Sequence, residues 1–219
     1  MTLLDFARGP ALQAALMIFA LGVVWRAVGA VLLPRTTDFS QPRTDTGERV
    51  AGGLRTTWSR FFVSEALEKR IHFQHIAGSL WHLGFFIVVL FFVPHILFFE
   101  SLLGFGWPGL PNPVILVVAA ITLATLLAVL IRRMTNPVSR IISTADDYIS
   151  WIVTALPLVT GILAAAHLGL RYETMLALHL LSVALLLIWF PFGKLMHLFL
   201  IWPARYNVGA LFARRGVRV

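Results

Sequence analysis

The sequence predicts an all-α polytopic membrane protein of five transmembrane helices, with its N-terminus outside and its C-terminus in the cytoplasm. Three observations carry this. Hydrophobic residues make up 58% of the 219 residues and charged residues 13%, against roughly 45–50% and about 25% in ordinary soluble domains. Five stretches reach the ~20 mainly apolar residues that a membrane helix needs. The period-2 alternation of a membrane barrel is missing. Mean hydropathy is +0.84, and so little charge could not cover a soluble surface. Such a composition also excludes a disordered chain. The chain has no cysteine, which excludes a disulfide framework and any iron–sulfur or zinc site built on thiolates.

The expected spans, within a single domain over 1–219, are about 10–33, 76–99, 113–131, 149–167 and 175–201. The first holds Arg26 within its apolar run. That run is long for a signal peptide, and its basic residues follow rather than precede it, so it reads as a retained anchor. A connection over 34–75 separates spans one and two. Its first half, RTTDFSQPRTDTGERVAGG, has turn formers and mixed charge and reads as loop. Its second half, WSRFFVSEALEKRIHFQH, reads as an amphipathic helix at the cytoplasmic interface, suited also to docking a cytoplasmic partner. A basic tail over 202–219 closes the chain.

Orientation follows from the basic residues. Arg35, Arg43, Arg49, Arg55, Arg60, Lys69 and Arg70 lie between spans one and two. Arg132, Arg133 and Arg140 lie between three and four, and Arg205, Arg214, Arg215 and Arg218 follow span five. The opposite side holds Arg8 and Arg171. The positive-inside rule puts the heavily basic connections in the cytoplasm. The net charge of +8 is thus an orientation signal, and nucleic acid is not an expected partner.

Ionisable residues within spans are costly and point to function. His82 and His95 fall on span two, His179 and His197 on span five. His179 and His197 are five helical turns apart, so on one continuous helix they point the same way, about 27 Å apart along the axis. Spans two and five run in opposite directions. His82 then meets His197 near the cytoplasmic side, and His95 meets His179 near the outer side. Two bis-histidine haems stacked across the bilayer satisfy this arrangement. On an ideal helix, however, His95 lies about 140° around from His82. A proline kink at Pro94 or a local π-bulge would re-aim it. Alternatively His72 or His75, in the interfacial segment, completes the second pair. Taken singly, a membrane histidine is more often a hydrogen-bonded packing residue, and zinc is a poorer alternative because three ligands are nowhere close together.

The segment HLLSVALLLIWFPFGKLMHLF, His179–Phe199, resembles the last span of the respiratory nitrate reductase gamma subunit family, with its two histidines and the Pro-Phe-Gly-Lys element between them. LWHLGFF (Leu80–Phe86), LIRRMTNPVSR (Leu130–Arg140), TADDYISWIV from Thr144, and Gly161 are similar to other parts of that family, so that the likeness covers nearly the whole chain beyond Pro10. The resemblance implies a five-span cytochrome b of the prokaryotic cytoplasmic membrane with two haem b groups. It implies exchange of electrons with quinone at the outer side and with an iron–sulfur subunit in the cytoplasm, catalysis on the terminal substrate residing in a further subunit. A related branch, the membrane cytochromes of sulfite reductase-linked and heterodisulfide-reductase-like complexes, is also similar, nearest in EALEKRIHFQHIAGSLWHLGFF. The alternative of another class is a haem-free membrane scaffold or transporter. The longer histidine spacing on span two and Pro94 depart from the nitrate enzymes.

Haem propionates need cationic partners at the membrane edge. Arg132 and Arg133 are candidates for the inner haem, with Lys194 and Arg26 behind them, although topology or snorkelling explains all of these cations equally simply. Glu100, His167 and Arg171 are candidates near a quinone. Trp81, Trp107, Trp151 and Trp202 read as interface anchors.

Overall fold

The computed structural model describes residues 1–33, 38–62 and 65–217, and for 65–70 the backbone alone. Of the basic residues that set the expected orientation, Arg35, Arg218 and the side chains of Lys69 and Arg70 lie outside the described residues.

The first rod runs from Leu3 to Leu32 as α1 (Leu3–Phe6), a π-turn (Ala7–Ala11) and α2 (Leu12–Leu32). Thr2 and Asp5 cap its start reciprocally. Pro10, which has no N–H to donate, sits in the π-turn, where the wider backbone ring absorbs the missing bond. Then come α3 (Thr46–Ser59), α4 (Glu65–Phe91), α5 (Val93–Leu103), α6 (Asn112–Thr135), the short α7 (Pro137–Ile141), α8 (Ala145–Ala165) and α9 (Tyr172–Trp189). A 3₁₀ turn (Lys194–Met196) leads into α10 (His197–Arg214). Apart from a single bridge between Phe92 and Leu110, regular structure among the described residues is helical. Five helices there are long and apolar enough to cross a membrane: Leu3–Leu32, Ile71–Phe91, Asn112–Thr135, Ala145–Ala165 and Tyr172–Trp189.

The spans pack in the order α4, α6, α8, α9, α2. Leu126, Ala155 and Leu158 form a buried core between α6 and α8, with Trp81 and Phe85 of α4 against it. Trp151 ties the same layer together by donating its indole N–H to the Leu126 carbonyl at 2.9 Å. Outward faces are apolar and exposed, as at Leu21, Val31, Val117 and Ile131. That is the pattern of helices whose solvent is lipid.

Three expectations are corrected. Span two does not run unbroken to Phe99, because Phe92 is extended (φ −78°, ψ 123°) and separates α4 from α5. Span five does not run unbroken to Ile201, because the helix ends at Trp189 and resumes only after Pro191 and Gly193. The argument that five continuous turns align His179 with His197 therefore does not hold. Finally, the first half of the 34–75 connection contains a helix, α3, capped by the Asp45 side chain on the Glu48 amide. Its second half is no separate interfacial helix. A turn at Arg60–Phe62 follows α3, and from Glu65 the chain is already α4. The turn formers that suggested a loop, Gly52 and Gly53, serve instead as close-packing positions against α10.

Candidate functional site

His82 projects from α4, and its Nδ1 lies 2.7 Å from the Gly78 carbonyl one turn back. Its ring centre is 6.1 Å from that of His197, with the planes at 89°. His197 opens α10, and its Nδ1 is 2.9 Å from the Lys194 carbonyl.

The break at Phe92 gives His95 its direction. Interrupting a helix among apolar side chains strands carbonyls that lipid cannot satisfy. Here the carbonyls of Leu90 and Phe91 find donors from outside the helix. The Leu90 carbonyl accepts from the Trp107 indole at 2.6 Å. The Phe91 carbonyl accepts from the Leu110 amide at 2.9 Å. The Val88 carbonyl keeps its helical bond from the Phe92 amide at 3.3 Å and also takes the His95 Nδ1 at 3.0 Å. Pro94 stands in the first turn of α5, where its missing N–H costs nothing. His95 thus turns toward His179 of α9, with ring centres 6.1 Å apart and planes at 16°.

His179 is seated by α8. A side chain at Gly161 would press on its ring, since a Cβ there would lie 3.1 Å from Cε1. The Thr160 hydroxyl donates to the Leu156 carbonyl at 2.7 Å. It therefore accepts from His179 Nδ1, 3.2 Å away.

The structure thus brings together His82 with His197 and His95 with His179. Among the described residues α4 and α5 do not pack extensively on α9 and α10; His82 of α4 faces His197 of α10, and His95 of α5 faces His179 of α9, across the space between. A carbonyl can only accept, so Nδ1 carries the proton in three of the rings, and the Thr160 network sets the same tautomer in the fourth. All four Nε2 atoms keep a lone pair to offer. A hydrogen bond at Nδ1 of this kind orients a metal-bound imidazole and raises its basicity.

The donor set fits haem better than a free ion. Among the described residues no group of three or more His, Cys, Asp or Glu gathers as a metal site. Two nitrogens suit an iron whose other positions are filled by a macrocycle, whereas zinc takes three or four protein ligands. Two imidazoles sharing one metal at about 2 Å from each nitrogen have ring centres about 6 Å apart. Both observed pairs stand at that separation.

The expected cationic residues are placed as follows. Arg133 pairs with Asp147 at 3.0 Å and donates to the Ser143 hydroxyl at 2.9 Å. Arg132 lies over the Phe73 ring, 5.0 Å from its centre. Lys194 pairs with Asp147 at 2.5 Å, and its amide donates to Asp146 at 3.3 Å. Asp146 in turn accepts from Ser150, whose hydroxyl accepts from the Trp189 indole. Asp147 also closes the capping box with Thr144 at the start of α8. This network clamps the turn before His197 to α6 and α8. Of the outer polar residues, His167 lies two residues past the end of α8 with φ 55°, its ring centre 5.0 Å from that of Tyr172 with the planes at 34°. Arg171 and Glu173 face each other at 3.8 Å, both exposed.

Sequence reasoning missed Trp107, Thr160 and Asp147 as positioning groups. Only the acidic pair at the head of α8 carried a signal, as a helix N-terminus with Thr144. Trp107 lies 17 residues from the carbonyl it satisfies, and nothing local marks it.

No family model matches the chain, and no solved structure matches it. It is similar to a protein of Nitratidesulfovibrio vulgaris named simply "Protein". The two are 31% identical over 218 residues, covering 96% of this chain and 94% of that one. A likeness of that degree, running end to end in both chains, shows that this chain belongs to the family of the N. vulgaris protein.

Proposed function

We propose that the chain is a dihaem b-type membrane subunit that carries electrons between the quinone pool and a cytoplasmic iron–sulfur partner of a respiratory oxidoreductase. One observation carries the reading: four span-associated imidazoles stand in two pairs with ring centres 6.1 Å apart, each with Nδ1 occupied. His82 and His197 would hold one haem, His95 and His179 the other. Haem b at each pair would supply a one-electron centre. The chain's own part is to aim the four Nε2 atoms and exclude water from around them. The carbonyls of Gly78, Val88 and Lys194 and the hydroxyl of Thr160 do the aiming. Arg132 and the Arg133–Asp147–Lys194 cluster place cationic charge beside the His82–His197 end, where propionates need it.

The partner and the quinone rest on the resemblance of the fifth-span motif to the nitrate reductase gamma family. The absence of cysteine agrees, since iron–sulfur chemistry then belongs to another subunit. The distribution of Lys and Arg supports an N-terminus outside and a C-terminus in the cytoplasm, and the prokaryotic cytoplasmic membrane rests on the same resemblance.

The test is a reduced-minus-oxidised spectrum of the purified protein. A b-type signal of two haems per chain is expected. Replacing His197 or His179 by alanine should remove about one haem each. Well-folded protein without b-type absorbance would make the chain a haem-free scaffold or transporter and end this reading.

A further inference from the structure

Helix α3 has three faces. Gly52, Gly53, Thr56 and Thr57 pack against α10, where Gly52 and Gly209 let the two backbones approach closely. Glu48, Arg55 and Ser59 form a polar face. Between them runs an apolar stripe of the helix, Val50, Leu54 and Trp58, which Phe61 continues in the turn beyond. These four are 42%, 52%, 62% and 44% exposed. An ordinary amphipathic helix buries its apolar side. This one buries glycine and threonine and leaves the apolar side about half exposed.

Both ends of α3 are held near the membrane boundary. At one end Trp58 and Phe61 touch Trp202, with ring centres 5.9 and 5.5 Å away. Trp202 stands five residues past His197, whose imidazole meets His82 inside the α4 span. At the other end Thr44, just before the helix, donates to the Ala213 carbonyl at 2.9 Å. The next residue of α10, Arg214, donates to the carbonyls of Asp38 and Ser40 at 2.9 and 2.7 Å. Asp38 is five steps of chain from Leu33, which closes the apolar run of the first rod. Those steps reach at most about 18 Å. Both ends of α3 are thus tied to groups near the ends of the spans, the far end through a tether of at most about 18 Å. The aromatic end carries cations as well: Arg60 is exposed, and the Arg205 guanidinium lies 4.5 Å above the Phe61 ring. Aromatic rings beside arginines are the residues that settle at a membrane–water interface.

We propose that α3 is a membrane-surface helix whose Val50–Leu54–Trp58–Phe61 stripe rests in the phospholipid headgroup and upper acyl region of the bilayer that the spans cross. The α3–α10 pair is then a lipid-seated platform rather than a free-standing cytosolic arm. This stands independently of the haem reading, because none of its residues is a candidate ligand. The lack of native cysteine makes the test direct. Leu54→Cys, Val50→Cys and Arg55→Cys are each spin-labelled in the full chain, in nanodiscs of phosphatidylcholine and phosphatidylglycerol. Collision with oxygen and with a water-soluble nickel complex is measured by electron paramagnetic resonance. Labels at 50 and 54 should favour oxygen over nickel several-fold, and the label at 55 should show the reverse. Equal nickel access at 54 and 55 would overturn the proposal. Shielding of 50 and 54 from both reagents would overturn it too, in favour of a protein surface over the stripe. Having two stripe positions keeps the test open should one variant fail to fold.

Discussion

Replacing Asp147 by alanine removes the one carboxylate that binds two cations at the turn before His197. Its side chain is only 8% exposed, with Arg133 at 3.0 Å and Lys194 at 2.5 Å. Buried charge-assisted hydrogen bonds are worth about 1.5–3 kcal/mol each. Lys194 and Arg133 are, however, 50% and 35% exposed, and solvent screening brings each pair down to about 1 kcal/mol or less. The lost capping box at Thr144 adds about 1 kcal/mol. The variant should lose about 2–3 kcal/mol in all, which for a chain of this length lowers Tm by roughly 5–10 °C. Thermal unfolding in detergent, followed by near-UV circular dichroism, reads this. A double-mutant cycle with Lys194→Met isolates the pair. In the wild-type background Lys194→Met should lower Tm, and in the Asp147→Ala background it should do so by less than half as much. Equal shifts in both backgrounds would refute the clamp, because the two side chains would then act independently.

Trp107→Phe keeps the ring but leaves the Leu90 carbonyl without its donor, at a cost of about 1–3 kcal/mol. Amide exchange should quicken around residues 88–96 and nowhere in α8; unchanged exchange there would count against Trp107 as the cap of the α4–α5 break. Gly161→Ala puts a Cβ about as near His179 as real contacts tolerate, and in haem-loaded protein it should perturb the signal of one haem and spare the other. Equal perturbation of both would contradict the pairing of His179 with His95 alone. The Ser40 hydroxyl and amide hold the Asp38 carboxyl below its ordinary range, with Arg214 and Arg215 beside it. A lowered folded value means that its contribution is present at neutral pH and lost as pH falls through that value. The difference in amide exchange of residues 208–217 between wild type and Asp38→Asn should therefore vanish in strong acid. A difference persisting at pH 2 would show that charge is not what holds that end of α10.

Composition and period determined the helices. Long apolar runs can satisfy their backbone in lipid only as helix, so five membrane-compatible helices were legible before any contact was known. The four histidines were legible too, because charge-capable residues stand out against such a background. What tertiary structure decided is direction. The extended backbone at Phe92 is stable because Trp107 and Leu110, remote in sequence, satisfy the carbonyls it strands. The break at Pro191–Gly193 is stable because Asp146 and Asp147 hold Lys194 from another helix. Without those long-range bonds each break would be an unsatisfied gap in an apolar medium, and the helical phase of the sequence would give the wrong faces. The fate of α3 was likewise hidden, since its glycines read as turn formers until α10 lay against them. A sequence states which residues can be helical. Where a helix stops inside a membrane depends on which distant group is there to take up the freed hydrogen bonds.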